Sequence, residues 1–267
     1  MAFTENNYKN CVYMTSDKIS ARHMFTTRVG GVSRGVWESW NLGENRGDDI
    51  ACVRENYRLA GEIMGCGTDD FVVTKQVHGT VVREAAENER NVIGERNARD
   101  ADGLVTNIKN LPLMIYVADC VPVLMHDPEA EVIAAVHCGW KSSVADILGV
   151  AVAKMVKLGA KPENIRAAIG ASIGACCFEC DEDVPQAVDK YLGGDTEGLL
   201  LKKENGKTHV DLRGANARRL LQLGLKEENI DISHECTMCN PHKYWSHRGT
   251  QGVRGSMAAA IVLREDK

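Results

Sequence analysis

The chain has 267 residues, a length that suits one large domain or two small ones and allows a substantial buried core. Its apolar share of 44% and charged share of 26% are those of an ordinary soluble globular protein. The formal net charge is −5 and no long run of lysine and arginine stands out, which argues against nucleic acid as the main partner because phosphate binding needs concentrated positive charge.

Hydrophobic periodicity and turn signals predict a series of helices and strands. In chain order they are a helix over 52–64, a strand–turn–strand over 71–84, strands over 111–118, 121–125 and 132–136, a helix over 142–158, a strand over 165–169, helices over 183–192 and 211–223, and strands over 230–233 and 257–263. Residues 85–100 are polar and are expected to form a surface helix or loop. Strands and helices mixed without strict alternation indicate an α+β fold or a mixed-sheet layered fold.

The N-terminal residues 1–9 are polar, and no apolar stretch approaches the roughly 20 residues needed to span a bilayer. We therefore expect no signal peptide, no membrane partner and a cytoplasmic location. In that compartment the ten cysteines are expected to be mostly reduced. They are then candidate metal ligands, nucleophiles or small buried groups before they are disulfides.

Three side chains that suit a soft or borderline metal stand at the ends of apolar runs. His78 lies at a predicted turn, Cys120 lies between two apolar runs, and His137 ends a strongly apolar strand. A neutral imidazole and a thiolate suit zinc or copper, and three protein ligands leave one coordination position open. The pattern predicts a catalytic metal site whose ligands are brought together by the fold.

Each of these side chains also has a plain structural interpretation. His137 could be a hydrogen-bonded core histidine, and Cys120 could be a small buried residue. Their joint placement at strand ends, beside glycines or an aspartate, favours the metal site.

Other cysteines form two dense groups. Cys236 and Cys239 make a Cys-x-x-Cys pair flanked by histidines, which is a zinc signal, but one short loop rarely wraps four such close ligands around a metal. Cys176, Cys177 and Cys180 form the second group, and adjacent cysteines do not easily share a metal. We expect the second group to line or pack, and the role of the first group stays open.

Arginines beside glycines suggest anion binding. Arg28, Arg248 and Arg254 offer planar guanidinium groups where the backbone can also approach an anion. Solvated surface arginines are the alternative interpretation. Asn41 could add an amide contact to a ligand, although a turn role is preferred for it.

Three aspartates lie close to the candidate ligands in the sequence. Asp100 and Asp102 could cap a helix or hydrogen-bond a metal-bound histidine, and the structural role is the preferred interpretation. Asp119 could orient a ligand or position Cys120.

Five motifs in order carry a resemblance to a known family. They are Lys75-Gln-Val-His-Gly79, Asp100-Ala-Asp-Gly103, Ala118-Asp-Cys-Val-Pro122, Ala135-Val-His-Cys-Gly-Trp140 and Ile169-Gly-Ala-Ser-Ile173. They resemble the signature of the polyphenol oxidase/laccase-domain family, which includes the peptidoglycan editing factor PgeF and is now regarded as a family of purine nucleoside phosphorylases. The similarity runs from about residue 25 to residue 263.

The resemblance implies a layered α/β/β/α sandwich, with a single domain over residues 25–267 after an N-terminal segment 1–24. It implies that His78, Cys120 and His137 hold a zinc ion, with copper possible, and form the catalytic centre. It also implies phosphorolysis of adenosine, inosine and S-methyl-5'-thioadenosine to the free base and ribose 1-phosphate, together with adenosine deamination.

Purine nucleosides and phosphate are then the expected partners. Because phosphorolysis needs an anion held beneath the anomeric carbon, Arg28 and Arg248 are the candidates for holding phosphate. Asn41 is a candidate for contacting the substrate.

Three other functions stay open at this point. A copper-dependent oxidoreductase acting on phenols is the older attribution of the family, although the chain lacks the His-x-His spacing of clustered copper sites. A cysteine hydrolase would use Cys120 as nucleophile and a nearby histidine as base. A non-catalytic binding protein is the third. The preferred nucleoside, the metal loaded in the cell and the oligomeric state are not predicted.

Overall fold

The structure is a computed structural model that describes residues 3–95 and 98–265. In these residues the α-helices are α1 (Ile50–Met64), α2 (Trp140–Val144), α3 (Ile147–Lys157), α4 (Asp183–Leu192) and α5 (Leu212–Gln222). The strands are β1 (Phe3–Tyr8), β2 (Cys11–Ser16), β3 (Arg22–Thr26), β4 (Val82–Glu84), β5 (Gly103–Thr106), β6 (Leu113–Val117), β7 (Val121–Asp127), β8 (Val132–Cys138), β9 (Arg166–Ile169), β10 (Glu179–Cys180), β11 (Leu200–Lys202), β12 (Thr208–Val210), β13 (Ile230–Ile232) and β14 (Met257–Val262). None of these helices combines the length and the apolar character needed to cross a bilayer.

The strands form two large sheets and one small one. The first large sheet is antiparallel and has the order β1-β2-β3-β14-β6. The second has the order β13-β9-β7-β8-β5-β4 and is mixed, because its two outermost pairs are parallel and the others antiparallel. The small sheet has the order β10-β12-β11.

The two large sheets pack face to face, and each carries helices on its outer face. Along β8, Ile133 and Ala135 face the core between the sheets, whereas alternate residues of the strand pack with α3 and α5. Along β14, Ala259 and Ile261 face that same core, whereas Ala260 packs with α1. Because both faces of these strands are buried, their sequences are continuously apolar. The predicted α/β/β/α layered sandwich is confirmed.

The N-terminal strands are part of this sandwich. β3 pairs with β14, and β2 and β1 continue the first sheet outward from β3, so residues 3–24 belong to the same sheet as strands of the later chain. No strand was predicted in this region. The predicted boundary between residues 24 and 25 falls within β3, and the division into a segment 1–24 and a domain 25–267 stays a prediction.

Two of the predicted elements are wrong in detail. Residues 71–74 meet β6 through a single bridge from Val72 to Leu113, so of the two strands predicted over 71–84 only β4 forms. The helix predicted over 142–158 is two helices, because Asp146 has a left-handed backbone (φ 69°) and caps α3 by accepting a hydrogen bond from the Gly149 N–H at 3.2 Å. Residues 87–89 form a 3₁₀ turn inside the polar 85–100 segment, of which residues 96–97 lie outside the described residues.

Truncating a side chain between the two sheets should destabilise the protein strongly. Ile133 is fully buried there, so Ile133→Ala leaves a cavity and should lower the free energy of unfolding by about 2–5 kcal/mol in urea titrations. Val156, on the outer face of α3, is 42% exposed, and Val156→Ala should change this free energy by less than about 0.5 kcal/mol. Equal effects of the two substitutions would contradict the layer arrangement.

Candidate metal centre

Strand pairing brings the three predicted ligands together. β7 and β8 are antiparallel, with Pro122 opposite His137, so Cys120, which immediately precedes β7, lies beside the end of β8. His78 reaches the same place from the turn before β4. One ligand atom from each of His78, Cys120 and His137 lies within 4.8 Å of the other two, and the Cys120 Sγ is 3.8 Å from the His78 Nε2.

Asp102, immediately before β5, fixes both histidines. Its fully buried carboxylate accepts hydrogen bonds from the backbone N–H groups of Val77 (3.2 Å), His78 (3.0 Å) and Gly79 (2.7 Å). It also lies 2.8 Å from the His137 Nδ1. With Nδ1 bound to the carboxylate, the Nε2 of His137 is the nitrogen that is left for a metal. A purely structural role for Asp102 is therefore incomplete, because its carboxylate also hydrogen-bonds the candidate ligand His137.

Asp119 fixes the third ligand. Its buried carboxylate accepts hydrogen bonds from the Thr237 hydroxyl (2.5 Å), the Ser246 hydroxyl (2.9 Å) and the Arg248 backbone N–H (2.7 Å). The backbone at Asp119 is left-handed (φ 81°), a conformation that these bonds hold in place. Of the two roles considered for Asp119, the structure supports the positioning of Cys120.

Gly139 provides the room in which the ligands meet. A Cβ atom at this position would lie 2.8 Å from the His78 Cδ2 and 3.4 Å from the Cys120 Sγ. Any side chain would push His78 away from the other two ligands. Two imidazoles and one thiol in this arrangement fit a zinc or a copper ion.

The local charges favour an ionised thiol. Burial opposes ionisation of Cys120, but the charge of His137 and hydrogen bonds from His137 and His78 outweigh it and lower the pKa of the thiol to about 6. Burial likewise opposes the charged form of His137, while Cys120 and Asp102 outweigh it and raise its pKa to about 9. Asp102 has its pKa lowered because the hydrogen bonds it accepts exceed the effect of its burial. The three groups therefore stabilise each other's charges.

The ligands open onto a cavity of about 710 Å³. His78, Cys120 and His137 all line it, together with polar residues from three other parts of the chain. Glu44 is the carboxylate residue among its described lining residues. A volume of this size is typical of sites for small ligands.

Two arginines line the cavity without a carboxylate partner. The Arg46 Nε donates to the Ser256 Oγ at 3.3 Å, and an Arg254 Nη donates to the same oxygen at 3.1 Å. The Nε of Arg254 is buried without a hydrogen-bond partner, and neither guanidinium forms an ion pair within residues 3–95 and 98–265. Burial, and then the charge of Arg46, lower the pKa of Arg254 to about 10. An anion in the cavity would offset this unpaired positive charge.

The structure places Arg28 and Arg248 away from the cavity lining. The Arg28 guanidinium donates to the carbonyl oxygens of Glu38 (2.6 Å) and Pro241 (2.9 Å) and lies 5.3 Å over the ring of Trp245. The Arg248 guanidinium donates to the carbonyl of residue 179 at 3.2 Å. Both groups are engaged in contacts within the protein, so a phosphate role for them stays a prediction.

Asn41 is fully buried and makes turn contacts. Its Oδ1 accepts hydrogen bonds from the backbone N–H groups of Gly43 and Ser256, each at 2.9 Å, and its Nδ2 donates to Asp48 at 2.9 Å. These bonds hold the segment that carries Glu44 and Arg46. Arg46 was not among the predicted anion-binding residues, although it precedes a glycine, as Arg254 does, and Arg28 lies just before a glycine pair.

The chain is similar to known proteins over most of its length. Residues 22–264 match the family described as multi-copper polyphenol oxidoreductase laccase. The chain belongs to this family. A purine nucleoside phosphorylase of Corynebacterium glutamicum is 36% identical over 248 residues, which are 92% of this chain and 95% of that protein. An adenosine deaminase from an unidentified prokaryote is 32% identical over 228 residues, which are 84% of this chain and 87% of that protein.

The solved structures of this family share the fold. The crystal structure of YlmD from Geobacillus stearothermophilus superposes with a TM-score of 0.93 at 28% sequence identity, covering 99% of this chain and all of that one. The layered sandwich of this chain is therefore also the fold of that protein.

Removing the charge of Asp102 should weaken metal binding. In Asp102→Asn the amide cannot accept hydrogen bonds at both of its terminal atoms, so the His78 turn and the His137 ring lose part of their support. We expect the affinity for zinc, measured by competition with a chromophoric chelator, to fall by about 10–100-fold. Asp100→Asn is the matched control, because Asp100 is exposed and its carboxylate pairs with Lys75 at 3.0 Å. Equal affinities of the two variants would contradict the role of Asp102.

The low pKa of Cys120 predicts selective labelling of the metal-free protein. With a chelator present, its thiol is mostly ionised at pH 7, whereas Cys66, whose pKa burial raises to about 12, stays protonated. Since the thiolate is the nucleophile, iodoacetamide should label Cys120 well before Cys66, and the rate should fall as the pH is lowered through about 6. Added zinc should suppress the labelling, as peptide mass spectrometry can show. If the labelling rate of Cys120 is the same with and without added zinc, this result would argue against a metal at Cys120.

Proposed function

We propose that the protein is a zinc-dependent purine nucleoside phosphorylase that also deaminates adenosine. Its substrates would be adenosine and inosine, which phosphate cleaves to the free base and ribose 1-phosphate, and S-methyl-5'-thioadenosine, which gives adenine and the 5-methylthio derivative of ribose 1-phosphate. The observation that carries the proposal is one cavity lined both by the candidate ligands His78, Cys120 and His137 and by two arginines that form no ion pair with any carboxylate of the described residues. The relatives named as purine nucleoside phosphorylase and adenosine deaminase support the same reaction classes.

The arginines would hold the phosphate. Arg46 and Arg254 meet at the Ser256 hydroxyl, so their guanidinium groups can present several N–H donors to one anion. An anion bound beside the anomeric carbon of a nucleoside would stand ready for attack as the bond to the base breaks through an oxocarbenium-like transition state. Holding the two reactants together supplies much of the rate enhancement in such a reaction. We prefer Arg46 and Arg254 over Arg28 and Arg248 for this role.

His78, Cys120 and His137 would hold the metal and form the catalytic centre. A zinc ion there would act as a Lewis acid and could activate a water for deamination. The chain's own part is to keep the centre ordered. Asp102 keeps a proton on the His137 Nδ1, so that the other ring nitrogen stays available to the metal.

Glu44 is the residue we assign to the sugar. Its carboxylate accepts hydrogen bonds from the Asn91 side chain at 2.8 Å and the Gly94 N–H at 2.9 Å, which hold it in the cavity lining. A carboxylate oxygen with lone pairs to spare can accept a hydrogen bond from a ribose hydroxyl. This contact would select nucleosides over free bases.

The expected partners are purine nucleosides and phosphate, and the proposed location is the cytoplasm. All ten cysteines are free thiols, including the proposed ligand Cys120, which fits a reducing compartment.

The direct test is to incubate the zinc-loaded protein with adenosine, with and without phosphate, and to separate the products by chromatography. Phosphate should be required for the appearance of adenine and ribose 1-phosphate, whereas inosine should form without it. His78→Ala should abolish both reactions. If neither adenine nor inosine forms, the proposed function is wrong.

Arginine variants locate the phosphate site. Arg46→Gln removes a charged donor and should raise the KM for phosphate by about 10–100-fold with adenosine saturating. Deamination of adenosine should change little, because it uses no phosphate. Arg34→Gln is the matched control, since Arg34 is exposed and lies outside the cavity lining. A larger effect from Arg248→Gln than from Arg46→Gln would return the phosphate role to Arg248.

A copper-dependent phenol oxidase is the second candidate function. Two histidines and one cysteine are also ligands of electron-transfer copper, and the family description names copper. Such copper sites usually add a weak methionine ligand, and the described residues lining the cavity include none. Phenol oxidation by the copper-loaded protein, absent from the zinc-loaded protein and from His78→Ala, would favour this function.

A further inference from the structure

Four cysteines converge at a second place in the fold. Cys176 and Cys177 lie in the loop after β9, and Cys236 and Cys239 lie in the loop after β13. β9 and β13 are parallel neighbours, so their following loops meet at the same edge of the sheet. The four Sγ atoms all lie within 4.8 Å of one another. The expectation that the adjacent cysteines line or pack stays a prediction, and the structure adds that two of them lie beside Cys236 and Cys239.

The sulfur separations fit one metal ion. The Cys239 Sγ is 3.5 Å from the Cys176 Sγ and 3.3 Å from the Cys177 Sγ. Four sulfurs bound tetrahedrally at about 2.3 Å from one zinc ion would lie about 3.8 Å apart. A disulfide would need a pair at about 2.0 Å, and all four cysteines are free. Sulfurs that each bound a different iron of a cluster would lie farther apart.

The surrounding loop is shaped for this group. The Gly174 N–H donates to the Cys236 Sγ at 3.2 Å, a contact that favours a negatively charged sulfur. A Cβ atom at Gly174 would lie 3.2 Å from the Cys176 Sγ and 2.9 Å from the Arg213 guanidinium. A side chain at this position would therefore crowd the sulfur, and the nearby positive charge of Arg213 would partly offset the negative charge of four thiolates.

We propose that Cys176, Cys177, Cys236 and Cys239 bind one Zn²⁺ in a closed, structural site that is separate from the cavity. Four protein ligands leave no position for a substrate, so this ion ties two loops together and performs no reaction. The four cysteines complete the four-coordinate sphere of the ion without a further ligand.

The proposed zinc ion would be connected to the first metal centre through one residue, Thr237. Thr237 lies between Cys236 and Cys239, and its N–H donates to the Ser172 carbonyl at 3.0 Å. Its hydroxyl donates to the Asp119 carboxylate at 2.5 Å, and Asp119 immediately precedes Cys120. A zinc ion that fixes the Thr237 loop would therefore also hold Cys120 in its binding position.

Metal counting in the full-length protein tests this proposal. In His78→Ala, which lacks one ligand of the cavity site, the reduced and dialysed protein should retain one zinc per chain. His78→Ala combined with Cys239→Ser should lose that zinc. His78→Ala combined with Cys180→Ser should keep it, because the Cys180 thiol bonds to the Phe178 carbonyl at 3.5 Å and lies outside the group. These counts do not depend on whether the protein acts on nucleosides.

Thiol accessibility provides a readout that needs no cysteine variant to fold. In the His78→Ala protein, adding a strong chelator should expose four further thiols to a colorimetric reagent, and peptide mapping should assign them to the four cysteines. Retention of the zinc after Cys239→Ser, iron in place of zinc, or an unchanged number of reactive thiols after chelation would each overturn the proposal.

Discussion

The buried carboxylate of Asp102 is the constraint on which the candidate metal centre depends. A charge removed from water costs several kcal/mol unless other groups compensate it, and here three backbone N–H groups and the His137 ring do so. The same bonds tie the turn that carries His78 to the strand that carries His137. One side chain thus sets the distance between two ligands that lie far apart in the sequence.

Asp119 plays the corresponding part for Cys120, and the sheet supplies the rest. The antiparallel pairing of β7 and β8 sets Pro122 opposite His137, so Cys120, two residues earlier, lies near His137. Hydrogen bonds to Asp119 arrive from Thr237 and Ser246, which belong to the segments after β13. The centre is consequently preorganised by contacts from several segments of the chain, and the two loops that carry the cysteine group are among them.

The apolar pattern of the sequence predicted the buried strands β6, β7, β8, β9 and β14, and it singled out His78, Cys120 and His137, which the fold brings together. It did not predict the N-terminal strands, or β5, which is short although it is buried. β7 and β8 are buried along their whole length, and Cys120 and His137 lie at the neighbouring ends of these two strands. β1 is an edge strand with mostly exposed polar residues, and backbone pairing to β2 leaves no hydrophobic pattern to read. The choice between arginines beside glycines depends on which guanidinium groups find carbonyl partners. The Arg28 guanidinium donates to carbonyl oxygens, whereas the Arg254 guanidinium is only partly hydrogen-bonded. Tertiary contacts alone decide this difference.

Anomalous diffraction at the zinc absorption edge, from crystals of the zinc-loaded protein, tests the central claim most directly. The account predicts a peak about 2.3 Å from the Cys120 Sγ and about 2.0–2.1 Å from one ring nitrogen each of His78 and His137. Zinc bound elsewhere on the protein, with these three side chains sharing no common ion, would contradict it.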